Sequence, residues 1–317
     1  MIAALTPAHY ADMADLIRRN PWRAFRNGIF VPCSVLTDHD VLQAFDVDTE
    51  PDADLSLGAY DGKKLLGFVR ALDEPDRNRI RIPLVDARRG KAFAETITEL
   101  LSRILDEAEQ RGRAEIVIQP MPPLASTFDL RDDEALDVLF SLGFWKDPII
   151  AAEMRRSLKG YTISERDQER IRFLASEGIT IRHAVQDDEV LLDTYFEGNL
   201  TTGWPGMTFA TFVRDGPEFV VLALRGEDVI GYATFFSSTV FTELPEFGPV
   251  FVEPEYRGNG LSSVLHAVAL AQIARLGRAK EIQLSCFPDK FPIYTHQGYM
   301  FRNKYLFRAT LPVGHLI

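Results

Sequence analysis

The sequence predicts an α/β (α+β) protein of two tandem domains, each a mixed, mostly antiparallel sheet flanked by helices. Three observations lead there. At 317 residues the chain exceeds one average domain. Strand-length apolar runs alternate with helix-length amphipathic ones along its course. The same order of signals also runs through it twice.

The repeat is clearest at its hairpins. Leu55–Tyr60 and Leu65–Val69 flank Asp61-Gly62-Lys63-Lys64, and Phe219–Leu224 and Val229–Ala233 flank Arg225-Gly226-Glu227-Asp228. Gly67 then recurs as Gly231, Arg89 as Arg257, and Gly143-Phe144 as Gly298-Tyr299. The period is far longer than the ~20–50 residues of a solenoid repeat, so the pattern is domain duplication.

In the first half, helices are expected near Ala8–Arg19, Lys91–Gln110 and Asp133–Leu142, with a strand at Ala114–Ile118. In the second, Ile179–Ile181 opens the sheet and Phe247–Val252 reads as a buried strand. Leu261, Val264, Leu265 and Val268 mark an amphipathic helix that Gly277 stops, and Glu281–Ser285 follows as a strand. Between the halves, Ser164–Glu177 reads as a connecting helix. Ser164 and Asp167 stand at capping-box spacing, and Gly178 ends it. The expected boundaries are 1–160, a connecting segment 161–178, and 179–317.

Composition narrows the function. Apolar residues make up 46% of the chain, enough for packed cores. The net charge of −11 is spread over both halves without a basic block, which argues against nucleic acid. No uncharged apolar run reaches the ~18 residues of a membrane span. Asp12 and Asp15 stand where a secretory signal would be basic. Two cysteines, Cys33 and Cys286, are too few for a disulfide framework, which fits a cytoplasmic protein. No residues stand at metal-ligand spacing, so no metal is expected.

The most informative stretch is Arg257-Gly258-Asn259-Gly260-Leu261-Ser262, between a strand and a helix start. Such a turn leaves several N–H groups unpaired where the helix dipole is positive, a cradle for phosphate. Gly260 allows close backbone approach and Arg257 adds charge. In the first half Ala92 stands in place of Gly260, and its Cβ would obstruct a pyrophosphate.

Val252-Glu253-Pro254-Glu255-Tyr256-Arg257-Gly258-Asn259-Gly260-Leu261 resembles the acetyl-CoA-binding segment of the GNAT superfamily of N-acetyltransferases. Arg257 and Gly260 match the family pattern, and Ser262 stands where Gly or Ala is usual. The tandem plan, with a degenerate first copy, is similar to that of the mycothiol synthases. The resemblance implies acetyl-CoA as co-substrate, bound by Val250, Val252 and the loop Arg257, Gly258, Asn259, Gly260, Leu261 and Ser262. It also implies an acid at Tyr294, which precedes Gly298-Tyr299 as in the last GNAT motif. The asparagine often found before that tyrosine is absent, with Phe287 and Phe291 in the region. Glu246 is the implied base and Glu243 its rival. Strand alternation puts Glu246, Gly248, Val250 and Val252 on one face.

These roles suit acyl transfer. An alkyl amine, with a pKa of ~10.4, must lose a proton, and a thiolate of conjugate acid ~8.5 leaves better protonated. The expected reaction is direct transfer of an acetyl (acyl) group from acetyl-CoA to a primary amine in the C-terminal domain. The expected partner is a small-molecule or peptide amine, without nucleic acid or membrane, and a homodimer is open. Two alternatives stay open as well. One is a non-catalytic CoA-binding regulatory module, which the intact Tyr294 counts against. The other is an aminoacyl-tRNA-dependent transferase of the tandem type, which the acidic surface and the retained loop disfavour. His266, within the loop-started helix, reads as packed or surface-lying, and Thr201–Gly206 as a substrate-facing loop.

Overall fold

The computed structural model describes the chain except residues 21–22, 27–28, 34–35, 37, 39–53, 120–123, 127, 198–202, 237–243, 278 and 315–317. Contacts divide it into two compact units. The first is Met1–Met154 with Ser285–Gln297 and Phe301–Ile317, and the second is Arg155–Leu284 with Gly298–Met300. The helix of the connecting segment therefore belongs to the second unit, and the chain's last strand to the first.

The first unit is built from β1 (Ile2–Ala4), α1 (Tyr10–Arg19), β2 (Arg23–Arg26), β3 (Ile29–Pro32), β4 (Leu57–Asp61), β5 (Lys64–Glu74) and β6 (Arg79–Ala87). There follow α2 (Phe93–Gln110), β7 (Glu115–Ile118), β8 (Leu124–Ser126), β9 (Phe128–Asp129), α3 (Asp133–Ser141) and β10 (Lys146–Ser157). Its main sheet runs β1-β4-β5-β6-β7-β16-β10, where β16 is Met300–Pro312. β16 lies antiparallel to β7, with Ala309 opposite Ile118 and Leu311 opposite Ile116. Ile97, Leu100, Leu101 and Ile104 of α2 close the core over Val69, Ile80, Ile82 and Ile116. Burying a side chain of this size contributes roughly 1.5–3 kcal/mol.

The second unit holds α4 (Glu165–Ser176), β11 (Ile179–His183), α5 (Glu189–Tyr195), α6 (Gly203–Asp215), β12 (Val220–Arg225), β13 (Asp228–Phe236), β14 (Glu246–Val252), α7 (Leu261–Leu276) and β15 (Glu281–Cys286). A short helix, α8 (Phe291–His296), falls in the segment grouped with the first unit. The sheet order is β15-β14-β13-β12-β11. On one face Val220, Leu222, Leu224 and Tyr232 pack against Leu192, Phe196 and Phe212. α4 starts as its sequence predicts: the Ser164 hydroxyl accepts from the Asp167 N–H at 3.1 Å and donates to its carboxylate at 2.6 Å. No described helix is long and apolar enough to cross a membrane.

The duplication is structural. Ala59 faces Gly67 in the first hairpin and Ala223 faces Gly231 in the second. A Cβ on Gly67 would stand 2.7 Å from Thr96 Cγ2 of α2, and one on Gly231 would stand 2.9 Å from the Phe251 carbonyl and 3.4 Å from Leu265 Cδ1 of α7. Gly67 lets α2 lie close on its sheet, whereas Gly231 lets the β14 backbone come close.

Three expectations are corrected. The strand Glu246–Val252 is not a plain alternation. Val250 pairs with Ala233 but Phe247 with Phe235, so Gly248 and Pro249 share one position opposite Thr234. This bulge turns Glu246 to the face of Tyr232 and Thr234, while Phe247 joins Val250 and Val252. The helix after the loop is not amphipathic. Buried residues fall all round it, including His266 and Gln272, because α4 packs on its outer side and Tyr161 donates to the Ala267 carbonyl at 3.4 Å. Finally, the stretch 203–206 is not loop but the first turn of α6, where Pro205 needs no N–H partner. Thr201 and Thr202 lie outside the described residues.

Candidate active site

The loop begins where β14 ends. Glu253 N–H donates to the Ile230 carbonyl at 2.9 Å, so the backbone of Glu253 turns toward β13. Alternation then points the N–H and C=O groups of Val252 and Val250 the other way, toward β15. β14 and β15 are parallel, and among the described residues their ladder is one pair, Glu246 with Gln283. No further pair of the two strands is laddered among the described residues, which leaves an edge with the Val250 backbone groups and the Val252 N–H, the Val252 carbonyl being held by Arg257.

Two left-handed glycines shape the turn itself, Gly258 at φ +83° and Gly260 at φ +76°. Gly260 is the N-cap of α7, a conformation that glycine adopts without steric cost. After the Arg257 N–H, the next backbone N–H outside regular structure with a backbone acceptor is that of Val264, bonded to the Gly260 carbonyl at 3.2 Å. The N–H groups of residues 258–263 between them find no backbone acceptor among the described residues. Arg257 anchors the turn by donating Nε to the Val252 carbonyl at 2.8 Å, its guanidinium 5.6 Å from the Phe251 ring centroid. Its terminal nitrogens carry no ion pair among the described residues. Arg257, Gly258, Asn259 and Ser262 are exposed, whereas Leu261 is buried and locks the first turn of α7 onto the core. Tyr195 braces the approach by donating to Glu253 Oε1 at 2.6 Å.

The counterpart in the first unit is chemically closed. Both terminal nitrogens of Arg89 bond Asp132, at 3.0 and 2.6 Å, and its guanidinium lies 4.0 Å from the Phe93 centroid. A guanidinium held bidentately by a carboxylate is not available to a phosphate.

Glu246 is 3% exposed, and Gln283 Nε2 donates to its Oε2 at 3.0 Å. Gln283 is itself buried. On the same face Thr234 donates to Thr208 at 3.2 Å, and burial pushes the Tyr232 hydroxyl up to about 12. A comparable bulge lies one residue further along in the first unit, where Ile82 and Pro83 stand opposite Ala71. There Arg81 takes the place of Glu246 and pairs with Glu74 at 2.5 Å. Sequence reading missed both Gln283 and the Arg81 exchange, although the strand alignment of the repeat carries them. Glu243 lies outside the described residues.

Tyr294 is on α8, in the segment grouped with the first unit, whereas Glu246 and the loop belong to the second. Burial, and secondarily the Cys286 thiol, push its hydroxyl up to about 12. His266 is packed: Nε2 lies 3.1 Å from the Tyr299 hydroxyl and the ring stands edge-on to Phe247 at 4.6 Å. Burial lowers its pKa to about 3 and keeps it neutral.

The chain is similar to known proteins over this region. Residues 187–295 match the Acetyltransferase (GNAT) family. This span includes β14, the loop and α7, so the chain carries a GNAT acetyltransferase domain in its C-terminal half. Among solved structures, a tandem GNAT protein from the clavulanic acid biosynthesis pathway superposes with a TM-score of 0.61 at 13% identity, over 99% of this chain and 98% of that one. A GCN5-related N-acetyltransferase from Sphaerobacter thermophilus gives 0.57 at 15% identity, over 99% and 95%. A GNAT-family acetyltransferase from Colwellia psychrerythraea gives 0.56 at 12%, over 98% of each chain. At these identities the likeness establishes a tandem GNAT fold. No curated protein matches the sequence.

Proposed function

We propose that the C-terminal domain, residues 179–317, transfers an acetyl group from acetyl-CoA directly to a primary amine. The observation that carries this reading is the array of free N–H groups from 258 to 263 at the head of α7, beside the unladdered edge of β14. The array suits the pyrophosphate of the donor, and the backbone of Val250 and Val252 suits its pantetheine amides. Glu246 is the proposed base, its ionised form held by the Gln283 amide. Tyr294 is the proposed acid on motif spacing; a hydroxyl raised to about 12 stays protonated at neutral pH and can donate. The acceptor is a small-molecule or peptide amine. Two buried cysteines, neither in a disulfide, support a reducing, cytoplasmic setting.

Calorimetry with acetyl-CoA on the full chain tests the donor site. We expect one site per chain, abolished by Gly260→Glu, which adds bulk and negative charge where φ is +76°. Unchanged affinity in that variant, or two sites in the parent, overturns the assignment. A panel of amines read by thiol release then identifies the acceptor.

A further inference from the structure

We propose that Arg170, on the connecting helix α4, is a phosphate-binding residue of the donor site. The proposal rests on the reading of the loop as that site. Arg170 lies outside the GNAT-matched span 187–295, so nothing in the family motif selects it. The fold does. α4 packs along α7, and the Arg170 side chain crosses the head of that helix. Its Nε lies 3.4 Å, and its Cγ and Cδ 3.8 Å, from where a Cβ on Gly260 would stand. Gly260 is required by its φ of +76° at the N-cap, and a Cβ there would lie in ordinary contact with the arginine stem, so the stem passes directly beside the loop.

The charge at that stem is not consumed inside the protein. Arg170 is exposed and makes no ion pair among the described residues, its guanidinium lying 5.5 Å from the Phe173 ring centroid. This contrasts with Arg89 of the first unit, which Asp132 neutralises. Arg170 and Arg257 thus bring two uncompensated guanidinia to one turn of backbone N–H donors, from two different helical approaches. A phosphate ester takes a guanidinium bidentately, and a donor with a pyrophosphate and a 3′-phosphate offers more than one such group. The connecting helix is then part of the catalytic unit and not a spacer.

The test uses the full chain and calorimetry with acetyl-CoA and with dephospho-CoA. Arg170→Met keeps most of the stem that packs on Gly260 and removes the charge. We expect it to weaken acetyl-CoA binding about tenfold, the scale of one charged hydrogen bond, and to flatten the salt dependence of affinity. Arg170→Lys should recover part of the loss. If the loss vanishes with dephospho-CoA, the contact is to the 3′-phosphate; if it persists, to the pyrophosphate. Either result supports the proposal. Wild-type affinity in Arg170→Met, alongside weakened binding in Arg257→Gln, overturns it and leaves the donor site standing. Wild-type affinity in Arg170→Met, Arg257→Gln and Gly260→Glu together would show instead that the loop is not the donor site.

Discussion

In the proposed reaction, proton movement depends on two side chains, Gln283 and Tyr294. The Gln283 amide donates to Glu246 at 3.0 Å, and such a bond favours the ionised carboxylate. Gln283→Leu removes the donor, so the acidic limb of a pH–rate profile should move to higher pH. Glu246→Gln should lower turnover and abolish that limb, while Glu243→Gln should do much less. If Gln283→Leu leaves the limb in place, the pair is structural only. For Tyr294, replacement by phenylalanine keeps the ring and deletes the donor. Turnover should fall ~10²-fold, the usual scale of general acid catalysis, with melting temperature little changed. Full turnover in the phenylalanine variant would make Tyr294 a packing residue. Arg257, Gly260 and Tyr294 could be proposed from the sequence because their motifs are local. Arg170 was not, because its place beside Gly260 comes from helix packing across distant sequence.

At the scale of elements, β14 shows how a period-2 reading fails. Alternation holds only while the ladder is unbroken, and Gly248-Pro249 breaks it. A glycine and a proline inside an apolar strand are themselves a bulge signal, so the slip was readable in principle. α7 carries a second consequence. His266 is held neutral with its pKa lowered to about 3, against ~6.5 in an unfolded chain. Below ~6.5 the unfolded state binds a proton that the folded state refuses, so stability is fully present above that value and declines as pH falls toward 3. The slope reaches at most ~1.4 kcal/mol per pH unit from this group. Melting temperature should therefore drop more steeply between pH 6.5 and 4 in the parent than in His266→Phe. Parallel curves would mean that His266 gains a proton without unfolding.

Across the whole molecule, the division at 161–178 suggested by capping leaves part of the first unit, Ser285–Gln297 and Phe301–Ile317, on the far side of the boundary. β16 stands between β7 and β10 in the first unit's sheet, with Ala309 and Leu311 in that unit's core. No local pattern reveals which sheet a final strand joins, because strand pairing is a long-range choice. A fragment of residues 1–178 lacks the strand that stands between β7 and β10 in its own sheet. It should show no cooperative thermal transition by circular dichroism, unlike the full chain. A sharp transition in that fragment would show that β16 is dispensable.

The place of β16 also sets a clock on synthesis. β7 ends at Ile118, and its partner Ala309 emerges from the ribosome about 190 residues later. At roughly 5–20 residues per second that is on the order of ten to forty seconds. For that interval the nascent first half carries β7 as an open edge of its sheet, a template for any other extended chain. The half made first is thus the half completed last, and slower translation lengthens the time for which it depends on chaperones.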